Sequence, residues 1–192
     1  MGQSKVNAKS RGRTIKRASP RARTALARHC FSSHEYSRSV MPTSAPDVKR
    51  RAVEGYGATV VSCEPTLEAR ETTCAQVVEE TGATMVHPYD NAQVIAGQGT
   101  SAKELVEDVG PLDALVVPVG GGGLMSGSCL TMAALCPDAK IVGAEPSGAD
   151  DAARSLAAGE LIPQTGPDTI CDGLLTSLGE LTWPILRDHL ET

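Results

Sequence analysis

A strand, a glycine-rich loop and the start of a helix are predicted in the stretch Leu115-Val116-Val117-Pro118-Val119-Gly120-Gly121-Gly122-Gly123-Leu124-Met125-Ser126-Gly127. Its first part is an apolar run rich in β-branched side chains, which is typical of a buried strand in a parallel sheet. Four glycines follow at once, and the apolar residues of 124–135 recur with helical spacing. A buried strand that leads through a loop into a helix predicts an α/β fold.

The glycine run at 120–123 predicts a binding site for a phosphate or another anion. Glycine has no Cβ, so successive N–H groups can turn towards one point. The helix that follows adds its own unpaired N–H groups and the positive end of its dipole. A flexible linker is the alternative, but linkers are not expected between a core strand and an amphipathic helix.

The rest of the chain alternates predicted strands with predicted helices, which makes the fold class α/β with mainly parallel strands. Pro46 is well placed at the first turn of a helix, and Gly57, Gly82 and Gly159 each follow one as stop signals. The other predicted strands are 58–63, 84–87 and 140–144, and the other predicted helices are 48–56, 67–81, 94–109, 149–158 and one that starts at residue 182.

Charge is distributed unevenly along the chain. The net charge is −5, yet residues 1–40 carry ten Lys or Arg and a single acid, Glu35. We interpret residues 1–40 as a basic, disordered segment without a strand. A transit peptide and a nucleic-acid-binding arm are the alternatives. Aromatic residues are not interleaved with the basic ones and the remaining chain is acidic, which argues against nucleic acid as a partner.

The composition is that of a cytoplasmic globular protein. No apolar run approaches the roughly 18–20 residues needed to span a bilayer, so no membrane partner is predicted. There are six cysteines, with no C-x-x-C pair, no histidine at zinc-finger spacing and no secretory signal, so reduced and mostly buried thiols are expected.

Two cofactor classes compete for the glycine loop. A dinucleotide site is one interpretation, since Glu145 ends the next strand where a ribose-binding acid would lie. However, Gly120, Gly122 and Gly127 do not make the pattern G-x-G-x-x-G. A P-loop is excluded because no Gly-Lys-Ser/Thr follows. Four contiguous glycines fit the monophosphate of a compact cofactor better.

Six motifs occur in a fixed order: Met-Pro-x-x-Ala-Pro-x-x-Lys at 41–49, Glu-Gly-Tyr-Gly-Ala at 54–58, Gly-Gln-Gly-Thr at 97–100, Val-Pro-Val-Gly-Gly-Gly-Gly-Leu at 117–124, Ala-Glu-Pro at 144–146 and Leu-Thr-Trp-Pro at 181–184. From Met41 onwards the chain therefore resembles pyridoxal-phosphate enzymes of the tryptophan-synthase-β fold. Among these it is most similar to serine racemases and serine/threonine dehydratases. The resemblance implies three-layer domains with parallel sheets, here incomplete.

The resemblance also implies a cofactor, a substrate and a site. Pyridoxal 5'-phosphate is the expected cofactor, L-serine or L-threonine the expected substrate, and a homodimer is expected for the full-length family. Gly173 matches a glycine that lies close to the cofactor ring. The residues expected to bind the cofactor phosphate through their N–H groups are Gly120, Gly121, Gly122, Gly123 and Leu124.

A metal site is predicted in the turn Glu145-Pro-Ser-Gly-Ala149-Asp150-Asp151. Carboxylates and a main-chain carbonyl are hard oxygen ligands suited to Mg²⁺ or Ca²⁺. Acids in the first turn of a helix would give the same pattern without a metal. The resemblance favours the metal, because serine racemases bind a divalent cation with the residues that match Glu145, the carbonyl of Ala149, and Asp151.

The groups that carry the chemistry of the family are not recognisable here. In the family a lysine forms the Schiff base within Ser-Phe-Lys-x-Arg-Gly-Ala, and the nearest match, at Lys9, keeps only Lys-x-Arg-Gly. The family motifs Ser-Ser-Gly-Asn-His and Ser-Gly-Gly-Asn are also absent. We therefore assign no catalytic residue and expect a truncated, inactive form whose residues 1–40 replace family sequence through a gene-model or splicing change.

The resulting hypothesis is a truncated racemase or ammonia-lyase with three parts: a non-family segment at 1–40, a partial small domain at 41–90 and a partial large, cofactor-binding domain at 91–192. A non-catalytic module that pairs with a full-length homologue is one alternative, and a dinucleotide-binding domain is another. Lys49 and Tyr56 match positions near a nucleotide effector site, but we interpret them as a solvated lysine and a half-buried tyrosine. His87 and Asp172 are interpreted as structural.

Overall fold

The computed structural model describes residues 37–190, which fold into four strands, six α-helices and one 3₁₀ helix. The strands are β1 (Arg38–Pro42), β2 (Thr59–Cys63), β3 (Ala114–Pro118) and β4 (Lys140–Ala144). The helices are α1 (Asp47–Gly55), α2 (Leu67–Thr81), α3 (Ala92–Val109), α4 (Gly123–Leu135), α5 (Asp151–Ala158) and α6 (Thr182–His189), with the 3₁₀ helix at Asp172–Leu174. The predicted α/β class is confirmed.

Helix ends follow local sequence signals. The Thr66 hydroxyl accepts the N–H of Ala69 at the start of α2, and the Asn91 carbonyl oxygen accepts two N–H groups at the start of α3. Gly82 and Gly159 end α2 and α5 in the left-handed region, with φ of 66° and 75°. Gly82 and Gly159 are the stop signals that the sequence predicts, and both end a helix where expected.

The strands form two separate parallel pairs. β1 pairs with β2 from Arg38 opposite Thr59, and β3 pairs with β4 from Ala114 opposite Lys140. Each pair is joined through a helix, as parallel strands require. The first pair spans residues of the predicted segment 1–40 and of the proposed small domain, the second lies in the proposed large domain, and the boundaries near residues 40 and 90 stay predictions.

Helices α3 and α4 make the main contact between helices, and they approach closely because both carry glycine. A Cβ at Gly127 would overlap the backbone of Gly99 and the Ile95 carbonyl. The Thr131 hydroxyl crosses the same contact and donates to the Gly99 carbonyl at 3.0 Å. The core then extends to β3, β4 and α6 through fully buried side chains, which include Met125, Cys129, Met132 and Leu186.

One face of the β3–β4 pair packs on the core and the other is open. Val117 and Ile141 are buried, whereas Val116 and Val142, which lie opposite each other, are 64% and 45% exposed. Strand residues alternate between the two faces of a sheet, so the outward set forms an apolar stripe. No helix of the described residues is long and apolar enough to cross a membrane.

Two secondary-structure predictions are wrong. Residues 1–40 were expected to lack a strand, yet Arg38–Pro42 forms β1, because β2 supplies a parallel partner that local composition does not reveal. Residues 84–87 were expected to form a strand and do not. Met85 and Val86 are 55% and 67% exposed there, so an apolar run without a pairing partner stays irregular. The rest of the predicted disordered segment, 1–36, lies outside the described residues.

Alanine substitutions at two glycines, one in α3 and one in α4, should change the stability of the protein in opposite directions. Gly127→Ala should destabilise the protein by about 1–3 kcal/mol, because its Cβ meets backbone that cannot move alone. Gly97→Ala should stabilise it by roughly 0.5–1 kcal/mol, since nothing lies within 4 Å and alanine favours the helix. Urea unfolding of both variants checks this, and equal effects would contradict the close helix contact.

Candidate functional site

The glycine loop lies at the carboxyl end of β3, at the junction with α4. The N–H of Val119 still donates to the Ala144 carbonyl at 3.0 Å, and the chain leaves the sheet after it. In α4 the first intrahelical bond runs from the Ser126 N–H to the Gly122 carbonyl at 2.8 Å. The N–H groups at the helix start before Ser126 therefore have no intrahelical acceptor. These donors suit an anion.

Three glycines of the loop, Gly121, Gly122 and Gly123, face a group that leaves no room for a Cβ. A Cβ on Gly121 would overlap the ring of Tyr89, and one on Gly123 would lie 2.9 Å from the Tyr89 Cβ. Gly122 has a φ of +86°, and its Cβ would lie 2.8 Å from Thr182. The loop thus needs glycine for close approach and, at Gly122, for a backbone conformation that side chains disfavour.

Gly120 and Gly173 are brought together, as the sequence hypothesis requires of two residues at one site. A Cβ on Gly120 would lie 3.0 Å from the carbonyl oxygen of Gly173. Gly173 belongs to the exposed 3₁₀ helix Asp172–Leu174, whereas the loop glycines are buried. Leu124, the last predicted phosphate-binding residue, is partly buried and packs on the core.

Tyr89 covers the loop, and His87 holds it in place. The His87 Nδ1 accepts the N–H of Asp90 at 2.8 Å. The His87 ring lies edge-on to the Tyr89 ring, with a distance of 4.6 Å between the ring centroids. His87 is therefore structural, as predicted. Burial raises the pKa of the Tyr89 hydroxyl, while the charge of Arg70 lowers it and that of Asp151 raises it.

The predicted metal turn connects β4 with α5. The Glu145 carboxylate accepts the N–H groups of Ala152 at 3.2 Å and Ala153 at 2.9 Å. Asp151 is 1% exposed and accepts the N–H of Leu178 at 2.9 Å, and Ala149 is equally buried. Glu145 therefore caps the first turn of α5, the helix that begins at Asp151.

Burial and the other acids of this turn both raise the pKa of Glu145. Burial raises the pKa of the Glu145 carboxyl, and the neighbouring charges of Asp151 and Asp150 raise it further. Burial also raises the pKa of the Asp151 carboxyl. Two partly desolvated carboxylates of like charge suit a cation. Within residues 37–190 no cluster of three or more His, Cys, Asp or Glu side chains is placed to hold a metal. The predicted metal site has only two such side chains, because its third ligand is the main-chain carbonyl of Ala149.

Comparison with known proteins assigns the family. The model of the family described as pyridoxal-phosphate dependent enzymes matches residues 24–192. This chain belongs to that family. Its match starts at residue 24, so part of the segment 1–40 that was predicted to be foreign to the family belongs to the matched range.

The proteins to which this chain is similar include serine racemases and a dehydratase. Serine racemase of Dictyostelium discoideum is 53% identical over 154 residues, which are 79% of this chain and 48% of that protein. The beta-hydroxyaspartate dehydratase of Paracoccus denitrificans is 51% identical over 151 residues, 79% of this chain and 48% of that protein. The structure of maize serine racemase superposes with a TM-score of 0.78 at 44% identity, covering 80% of this chain and 47% of that one. The chain spans about half the length of the curated relatives it matches.

Arg70 of α2 is a residue that the sequence analysis did not single out, although its charge acts on Tyr89. Its Nε is buried and has no hydrogen-bond partner among the described residues, and its charge acts on the Tyr89 hydroxyl. An arginine on a helix usually extends into solvent, so nothing in the sequence distinguishes Arg70. Only the folded structure shows that its Nε is buried without a partner and that its charge acts on Tyr89.

Other residues that the sequence analysis singled out are not part of the glycine loop. Lys49 forms an ion pair with Asp172 at 2.6 Å, and Tyr56 is 53% exposed. Cys63, Cys129 and Cys136 are buried free thiols, and burial raises the pKa of Cys129 to about 11. Lys9 lies outside both the described residues and the matched range.

Tyr89 and Gly121 should show a strong coupling in stability. Gly121→Ala should cost about 1–3 kcal/mol, because the new Cβ overlaps the Tyr89 ring. In the double variant with Tyr89→Ala the overlap disappears, so the two costs should not add. Urea unfolding of the four proteins measures the coupling, and additive costs would show that the ring does not lie on the loop.

Proposed function

We propose that this chain is the cofactor-holding part of a pyridoxal-phosphate enzyme that racemises a small amino acid such as serine, or removes ammonia from it. The observation that carries the proposal is the buried glycine loop, whose amide donors lie at a strand-to-helix junction in a member of this family. Names of similar proteins, serine racemase and beta-hydroxyaspartate dehydratase, support the reaction class.

The residues of the loop fit the phosphate of this cofactor. The donors would be the N–H groups of Gly120, Gly121, Gly122, Gly123 and Leu124, and Gly173 would lie next to the ring. Bound pyridoxal phosphate withdraws electrons from the α-carbon of an amino acid, so that its proton leaves more readily. The protein would bind the phosphate through main-chain amides, and Tyr89 would exclude water from one side of the loop.

Arg70 gives the site a second anion-binding group. A guanidinium with an unused buried Nε–H is costly unless a partner is supplied. The carboxylate of an amino-acid substrate has the charge and geometry to accept from it. The Arg70 charge, which acts on the Tyr89 hydroxyl, would suit an amino-acid substrate, and serine and threonine share this carboxylate.

The chain is further proposed to lack catalytic activity by itself, because the Schiff-base motif is not recognisable in its sequence. A non-catalytic module that pairs with a full-length homologue is the second candidate, and the open Val116–Val142 face of the β3–β4 pair favours a partner. Cytoplasmic location and a homodimeric full-length protein remain predictions.

Pyridoxal phosphate should bind reversibly and without covalent attachment. We expect it to bind at least tenfold more tightly than pyridoxal, which lacks the phosphate that the loop would hold. After borohydride treatment, mass spectrometry should find no stoichiometric adduct on a lysine. An adduct on Lys9 would contradict the proposed inactivity, and equal affinities for the two compounds would contradict the phosphate site.

We also propose that Glu145, the carbonyl of Ala149 and Asp151 bind Mg²⁺ or Ca²⁺. The like charges of the half-buried Glu145 and the buried Asp151 support it, and so does their all-oxygen chemistry. The nearby Asp150 has a different partner, since it pairs with Arg154 at 2.8 Å.

Divalent cations should raise the melting temperature. Binding at a hundredfold excess over the dissociation constant adds about 2.7 kcal/mol, or roughly 5–10 °C for a chain of this size. Asp151→Asn should remove most of that shift, while the matched variant Asp150→Asn should keep it. Thermal melts with and without Mg²⁺ or Ca²⁺ compare each protein with itself. Equal loss in both variants would indicate general charge relief, not a site.

A further inference from the structure

We infer that Thr182 positions the phosphate-binding loop and that Asp90 holds Thr182 in place. Both residues lie outside the glycine motif, and neither is assumed to touch the cofactor. The inference rests on the proposed function, because it explains how one peptide of the loop keeps its donor available to a phosphate.

Thr182 is completely buried, and its hydroxyl has a defined role. The Oγ1 donates to the carbonyl oxygen of Gly121 at 2.9 Å and accepts the N–H of Gly179 at 2.9 Å. The Gly179 carbonyl lies farther away, at 3.3 Å. A hydroxyl has a single proton, so the shorter distance favours donation to Gly121.

This bond fixes the direction of a donor in the loop. In a trans peptide the carbonyl of Gly121 and the N–H of Gly122 point in opposite directions. Holding the carbonyl on Thr182 therefore turns the Gly122 N–H away from Thr182. Glycine flanks the peptide on both sides and imposes little restraint of its own. The hydrogen bond is thus the restraint that selects one orientation of this peptide.

Asp90 anchors the segment that carries Thr182. Its carboxylate accepts the N–H groups of Glu180 at 3.1 Å, Leu181 at 2.8 Å and Thr182 at 3.3 Å. The residue at the N-cap of α6, Leu181, has no side-chain oxygen for this purpose. A carboxylate from a distant part of the chain replaces the missing cap and matches the positive end of the helix.

The tests use variants that differ by single groups. Thr182→Val removes the hydroxyl at nearly constant volume, and Thr182→Ser keeps it. Thr131→Val is the matched control, because the Thr131 hydroxyl also donates to a glycine carbonyl, that of Gly99, but between α3 and α4. Asp90→Asn replaces one acceptor oxygen by a donor and serves as the second variant if Thr182→Val does not fold.

Two measurements on the full chain are combined. The first is the ratio of affinities for pyridoxal phosphate and pyridoxal. We expect Thr182→Val to reduce this ratio about tenfold and Asp90→Asn to reduce it severalfold, whereas Thr182→Ser and Thr131→Val keep it. The second, without ligand, is the NMR signal of the Gly121 carbonyl carbon and the Gly122 amide, which should move in Thr182→Val and stay in Thr131→Val.

The outcomes separate the inference from the function on which it rests. An unchanged affinity ratio and unchanged NMR signals in Thr182→Val, or in Asp90→Asn if the valine variant is unfolded, overturn the positioning role. If the parent protein itself shows no preference for the phosphate, the proposed function fails. The ligand-free NMR signals then still decide whether Thr182 sets this peptide.

Discussion

The close contact of two side chains with a glycine backbone is the constraint on which the site depends. Tyr89 lies against Gly121 and Gly123, and Thr182 lies against Gly122. Side chains on the loop would push Tyr89 and Thr182 away from it. The loop would then lose both the Tyr89 ring that covers it and its hydrogen bond to Thr182. The same use of glycine recurs between α3 and α4, where Gly99 and Gly127 let two backbones meet. Absent Cβ atoms thus define the packing of this half of the fold.

Local sequence signals predicted the centre of the fold well. The β3–loop–α4 unit needs only an apolar run, a glycine run and helical spacing, which all lie within 114–135. The predictions that failed depend on distant partners. Strand β1 exists because β2 lies beside it, and residues 84–87 stay irregular because nothing pairs with them. Composition does not report whether such a partner is present.

The candidate site divides in the same way. The sequence reveals the N–H donors of the loop as contiguous glycines, and it reveals the acids of the predicted metal site as a short turn between β4 and α5. Its supports were not visible, because Asp90 and Thr182 are separated by 92 positions and meet only in the folded chain. Arg70 is a similar case. A motif identifies the atoms that would touch a cofactor, whereas the residues that hold those atoms in place are scattered and need the tertiary structure.

His87 joins the two supports of the loop. Its Nδ1 accepts the N–H groups of both Tyr89, at 3.4 Å, and Asp90, at 2.8 Å, so one ring shapes the turn that carries them. From this turn Tyr89 covers the loop directly, and Asp90 acts on it through α6 and Thr182. All of these residues lie within the described part of a chain that spans about half of its relatives. The geometry of the proposed phosphate site can therefore be set within the described residues.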